Sequence, residues 1–324
     1  PADPSAPARR VNGRFVNASG HAQRGGMRAL KWLITRRPSP WPKRVANVPA
    51  AKPVARVDDG IRVTLIGHAT VLLQVSGLNI ITDPVWADRV GPLSWVGVKR
   101  TRPPAIALDD LPTIHVVLLS HSHYDHLDRT TLAALERRDN PLVVTGLKVG
   151  QVVPHDNVVE LDWWQGHALS NSVSATYVPA EHFSARGPFD RNVTLWGGFV
   201  LETPAGTVYF AGDTGAGAHI AAIAERFGPM ALSLLPIGAY LPDWFMAPIH
   251  MNPREAVAAA ATLQSRATMP IHYGTIRLAD DAFDEPLRVL QEALAAHATP
   301  PDFRVPEFGE AVVIPGRAKA RASE

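Results

Sequence analysis

Short apolar runs bounded by turn residues fill the middle of the chain, and most are too short to be helices. Arg62 to Ile66, Val71 to Val75 and Leu78 to Thr82 read as strands, the third stopping at Asp83-Pro84. Ile114 to Leu119 is rich in β-branched residues and predicts a buried strand, after which Asp128 is placed to cap a helix running to about Arg138. Leu142 to Thr145, Val158 to Leu161 and Ser174 to Val178 add three more strands. The second half repeats the pattern. Leu195 to Thr203 and Thr207 to Ala211 predict a hairpin, followed by a helix from Gly217 to Phe227 and a strand from Leu232 to Pro236. Pro253 opens a helix to about Leu263, Thr268 to Ile271 is a strand, and Glu285 to His297 is a last helix. The expected architecture is α/β, a sandwich of two sheets with outer helices and a site at one shared edge.

The segment before Ile61 differs. Residues 1–13 are rich in Pro, Ala and Arg and are expected to be disordered. Met27 to Arg37 mixes Leu30, Trp32, Leu33 and Ile34 with Arg28, Lys31, Arg36 and Arg37, predicting a short basic helix. It either lies on a membrane surface or packs on the body with its charges outward; packing is preferred, because most amphipathic helices cover a core. Residues 38–55 hold five prolines and should run as an extended linker. The chain thus divides into a basic, Pro-rich arm over 1–56, a compact body over 57–316 and a flexible tail over 317–324.

Charge sharpens that division. The net charge of +2 conceals twelve Lys or Arg and a single acid in residues 1–56, so the remainder is net acidic. The 324 residues contain no cysteine, which excludes disulfides, thiolate metal ligands and thiol nucleophiles without fixing a compartment. No apolar run approaches the length of a membrane span. The first residue is proline, which leaves open a native start and a signal segment before it.

The candidate chemistry lies in Ser120-His121-Ser122-His123-Tyr124-Asp125-His126-Leu127-Asp128, directly after the strand ending at Leu119. Binding sites in open α/β sheets sit at such carboxyl ends. Three other strands also end in candidate ligands: His182, Asp213 in Gly212-Asp213-Thr214-Gly215, and His272. Imidazole and carboxylate suit zinc and other divalent ions, and a two-metal hydrolase needs about three protein ligands per ion. One allocation places His121, His123 and His182 on one ion, Asp125, His126 and His272 on the other, and Asp213 between them. A hydroxide shared by the two ions would be the nucleophile.

These runs resemble the metallo-β-lactamase superfamily. Within it they are similar to the N-acylphosphatidylethanolamine-hydrolysing phospholipase D family. The supporting segments are Gly67-His68-Ala69-Thr70, Thr82-Asp83-Pro84, Glu160 to Trp164, Phe210 to Gly215, Arg226 to Pro229, Pro236 to Tyr240 and Ile271 to Thr275, in collinear order. The resemblance implies a four-layer αβ/βα sandwich of two mixed sheets flanked by helices, two zinc ions, and ligands at His121, His123, Asp125, His126, His182, Asp213 and His272. It also implies a catalytic-site histidine before a helix start, here His250, cast as a donor to the phosphate or the leaving oxygen, with Asp125 as the second catalytic residue. Ile249 beside it offers no second donor. His68 and Asp83 are candidates to orient the imidazoles, and Tyr124, Tyr240 and Trp244 are candidate substrate contacts. Trp244-Phe245-Met246, read as a loop, could line an acyl-chain groove. His21, His115, His155, His167, His219 and His297 are read as structural or exposed, and Trp163-Trp164 as core or rim.

The expected activity is a metal-dependent phosphodiesterase of the phospholipase D type on N-acyl phosphatidylethanolamine-like lipids, drawn to anionic membrane by the basic arm. Alternatives are a hydrolase of a sugar-phosphate lactone, a metallo-nuclease, and a membrane-binding module without turnover. The acidic body argues against a long nucleic-acid groove.

Overall fold

The computed structural model describes residues 3–20 and 27–316. Two sheets face each other. The first has seven strands in the order Val158–Leu161, Leu142–Gly146, Val116–Leu119, Leu78–Thr82, Thr70–Val75, Ile61–Gly67 and Ala311–Ile314. The second has six, in the order Gly166–Ala168, Ser174–Val178, Gly198–Thr203, Gly206–Phe210, Leu232–Pro236 and Thr268–Ile271. Both are mixed: Val116–Leu119 runs parallel to its two neighbours, while Thr70–Val75 is antiparallel to both of its own. This is the expected α/β sandwich of two mixed sheets.

The apolar runs are continuous rather than alternating because both faces of the first sheet are covered. Val63, Leu65, Val116 and Leu118 face the core between the sheets. Their neighbours Ile66, Val117 and Leu119 face a second core under helix α2 (Arg129–Asp139). Burying each such side chain contributes about 1.5–3 kcal/mol. The α2 start is as expected, with the Asp128 carboxylate accepting from Thr130 N.

Helix α1 (Met27–Thr35) precedes α2, and α3 (Ala218–Phe227), α4 (Asp243–Met246), α5 (Pro253–Thr262) and α6 (Glu285–Ala295) follow it. At α5 Asn252 and Glu255 form a reciprocal cap around Pro253. Trp244-Phe245-Met246 is one turn of helix rather than loop, its Phe245 and Met246 buried against Ile249 and Ala239.

Some elements carry little signal in the sequence. The hairpin Arg89–Leu93 and Val96–Lys99 is largely exposed and holds Gly91, Pro92 and Gly97, a composition that reads as loop. The strand Ala311–Ile314 is a half-exposed sheet edge.

The arm lies on the body. Residues 3–13 are not a disordered lead: Ala8 N donates to Asp162 Oδ1, and Arg10–Val11 pairs with Arg14–Phe15. Phe15 is fully buried, and its N–H donates to Asn192 O. The proline-rich stretch crosses the surface through fixed contacts, with Trp41 Nε1 donating to Asp281 O and Gln74 Nε2 to Val54 O. Helix α1 rests on α4 by stacking Trp32 on Phe245 at 5.2 Å, so it packs on the body while Leu30, Leu33 and Ile34 stay exposed. The tail 317–324 and His21 lie outside the described residues.

Candidate metal centre

Strand ends from both sheets converge on one cluster. Val116–Leu119 delivers the histidine loop, Ser174–Val178 leads to His182, Gly206–Phe210 to Asp213, and Thr268–Ile271 to His272. Gly212 takes a positive φ of 59°, and a Cβ there would stand 2.6 Å from that of Ser120, so only glycine lets Asp213 reach the loop. His272 also has a positive φ, and its N–H donates to His68 O at 2.9 Å.

Three imidazole nitrogens point at one another. His123 Nδ1 is 2.7 Å from His121 Nε2 and 3.2 Å from His182 Nε2. Beside them, Asp125 Oδ2 lies 3.3 Å from His126 Nε2 and 3.5 Å from His272 Nε2. Asp213 Oδ2 stands 3.1 Å from both His126 Nε2 and His272 Nε2, and 3.8 Å from His182 Nε2. All seven predicted ligands therefore meet in one buried cluster, with Asp213 between the two groups.

The donor set fits a metal. His126 Nε2, His272 Nε2 and Asp213 Oδ1 are fully buried and, among the described residues, make no hydrogen bond. A buried polar atom left so costs about 1–3 kcal/mol. Several converging on one point are explained by an ion that completes them. Four overlapping groups of His and Asp atoms could each hold one. Nitrogen and oxygen donors without sulfur suit zinc and other divalent cations.

The opposite ring nitrogens of His126, His121 and His182 are fixed. His126 Nδ1 donates to Asp83 Oδ2 at 2.7 Å, and Ser120 Oγ donates to the same oxygen at 2.6 Å. Ser120 Oγ lies 2.9 Å from His121 Nδ1, so Asp83 steadies both imidazoles. His182 Nδ1 is held by Ile249 O at 2.8 Å. His68 bridges Asp125 Oδ2 and Thr275 Oγ1, each at 3.0 Å.

Charge is distributed unevenly in the metal-free cluster. Burial pulls His121 and His182 well below the ordinary histidine range, and His123 down to about 4. For His272, burial is outweighed by Asp213 and Asp125, which push it up to about 9. His126 is likewise raised, against its burial, by Asp213, Asp125 and Asp83. Burial is also overcome at both carboxylates: His126 holds Asp125 and Asp213 well below the usual range.

The cluster opens into a cavity of about 290 Å³ whose other wall is apolar, with Trp32, Leu33, Phe183, Phe245 and Met246. His250 lines it, its Nδ1 3.8 Å from Asp213 Oδ2 and, among the described residues, without a hydrogen bond; burial lowers its pKa to about 4. Trp244 stands at the surface beside Lys31, which lies 5.3 Å over its ring. Tyr124 is turned away, donating to Arg186 O. Tyr240 does not line the cavity; burial and the carboxylates of Glu285 and Asp281 raise its phenol. His115 and His219 are held locally: His115 Nδ1 accepts from Asn79 N, and His219 Nε2 meets Thr214 Oγ1.

Sequence reasoning missed Asn17, Ser120, Phe183 and Arg191. Asn17 Oδ1 accepts from His182 N at 3.2 Å and Trp196 Nε1 at 3.0 Å, a contact across 165 positions that no local pattern announces.

A β-lactamase superfamily domain matches residues 78–273. An uncharacterised protein of Mycobacterium tuberculosis (strain ATCC 25618 / H37Rv) is 39% identical over 303 residues, 89% of this chain and 80% of that relative. The N-acyl-phosphatidylethanolamine-hydrolyzing phospholipase D 1 of Caenorhabditis elegans is 36% identical over 253 residues, 74% of this chain and 71% of that protein. Igni18, a metallo hydrolase of Ignicoccus hospitalis, shares the fold with a TM-score of 0.59 at 23% identity, over 78% of this chain and 97% of its own. The chain therefore belongs to the β-lactamase superfamily, as a metal-dependent hydrolase of the metallo-β-lactamase fold.

Proposed function

We propose that this hydrolase is a phosphodiesterase of the phospholipase D type, acting on N-acyl phosphatidylethanolamine-like lipids with two zinc ions as its metals. The observation that carries the reading is the cavity itself, which joins a cluster of His and Asp donors to an apolar wall of the kind an acyl chain would contact. The similarity to the Caenorhabditis elegans phospholipase D supports the same substrate class.

His121, His123 and His182 would hold one ion, Asp125, His126 and His272 the other, with Asp213 shared. When bound, such a pair supplies Lewis-acid stabilisation of phosphoryl oxygens and acidifies water. Asp125 faces the cavity, and His68 holds its Oδ2 beside His126 and His272, where the carboxylate would help hold an ion and orient a water. His250, neutral because it is buried, keeps an N–H for the phosphate or the departing oxygen. Phe245, Met246 and Trp32 exclude bulk water from the reacting centre.

An anionic membrane is the proposed partner. At α1, Met27 is 87% and Ile34 75% exposed, beside exposed Arg28, Lys31 and Arg37. Each nearby cation adds about 1 kcal/mol of attraction to such a surface.

The test is a panel of N-acyl phosphatidylethanolamine vesicles, RNA and a sugar-phosphate lactone, given to zinc-reconstituted protein. The reading expects lipid cleavage to phosphatidic acid. Turnover of RNA or lactone with intact lipid would overturn it.

A further inference from the structure

Arg191 is the only lysine or arginine among the described residues that line the metal cavity. It follows the loop from His182, and its guanidinium carbon lies 4.1 Å over the Phe183 ring. That ring in turn sits 4.5 Å from the His123 imidazole. Among the described residues, the guanidinium makes no hydrogen bond or ion pair. Its nearest acidic neighbour in sequence, Asp190, is committed to the N–H groups of Arg186 and Gly187.

The backbone here is held on both sides, and the side chain rests on the Phe183 ring. The Arg14 guanidinium donates to the carbonyls of Arg191 and Phe189, Phe15 N donates to Asn192 O, and Asn192 Nδ2 donates to Phe15 O. The fixed backbone and the stacking on Phe183 lower the ordering cost of presenting the guanidinium donors. A half-buried guanidinium without a counter-charge is unfavourable unless an anion completes it. Ile249, on the same cavity, supplies only its carbonyl to His182 and no side-chain donor.

We propose that Arg191 forms an anion subsite that grips the second, non-reacting oxygen of a singly charged phosphodiester. The subsite rests on the phosphodiesterase reading and sets its selectivity: charged diesters are taken and neutral triesters are not. The fork of guanidinium N–H groups suits a phosphate's paired oxygens.

The experiment compares zinc-reconstituted wild type, Arg191→Gln and Arg191→Lys. Calorimetry measures binding of dibutyl phosphate, which is anionic, and tributyl phosphate, which is neutral; metal content and cleavage of a short-chain phosphodiester are recorded in parallel. The subsite predicts roughly 10- to 100-fold weaker dibutyl phosphate binding in Arg191→Gln, with partial recovery in Arg191→Lys. Tributyl phosphate binding and metal content stay unchanged, and the loss in cleavage falls on KM more than kcat. Equal loss of both probes, loss of metal, or undiminished dibutyl phosphate binding overturns it. If wild type cleaves no phosphodiester while Arg191→Gln still loses the anion, the catalytic reading falls and the subsite stands.

Discussion

His126 and Asp83 share a hydrogen bond of 2.7 Å at the floor of the cluster, Nδ1 donating to Oδ2. Both side chains are fully buried, and Ser120 places its N–H and hydroxyl on the same carboxylate. Asp83 thereby sets the ring nitrogen that His126 turns towards Asp125 and Asp213. Replacing it with alanine should weaken metal binding about 10- to 100-fold. Competition against a chelator measures this, and an unchanged affinity would contradict the assignment.

Asn17 ties the amino-terminal segment to His182 through one buried carbonyl oxygen. Asn17→Ala removes an acceptor from two buried donors and should cost about 1–3 kcal/mol. Metal retention should fall along with thermal stability. A drop in stability with full metal retention would make Asn17 a packing residue only.

Gly212 is the hinge on which Asp213 reaches the histidines. Gly212→Ala combines a positive φ with a Cβ pressed against Ser120, a strain of about 1–3 kcal/mol. The variant should fold with a lower melting temperature and bind less metal per chain. Metal content equal to wild type would show that the loop absorbs the methyl group.

Proton release should accompany metal uptake. In the metal-free cluster His272 titrates near 9 and His126 is also raised, so both rings carry protons at pH 7. Ligation needs their neutral forms, so loading should expel about one proton or more, and affinity should rise with pH until about 9. The same shift gives the metal-free fold a His272 contribution that is complete below about 6.5 and fades as pH climbs through about 9. Calorimetry in buffers of different ionisation enthalpy reads the released protons; heats independent of buffer would contradict the charge distribution.

The strands that carry ligands were legible because each is a compact apolar run ending in an unusual polar cluster. Val116–Leu119 with His121 to His126 is the clearest case. The supports were harder to see. Asn17 and Arg191 act through contacts made only after the chain folds back, and neither stands in a spacing that marks a ligand. Helix α1 shows both faces its composition allowed, with Trp32 on Phe245 and the aliphatics outward. The exposed hairpin Arg89–Leu93 and Val96–Lys99 has too little apolar alternation to announce itself.

The proposed mechanism requires Asp213 and its six neighbouring ligands to hold two cations. Metal analysis of purified wild type and Asp213→Ala, joined to phosphodiester turnover on the same samples, tests it most directly. The account predicts about two metal equivalents and turnover in wild type, with both sharply reduced in the variant. Turnover in Asp213→Ala equal to wild type would contradict it.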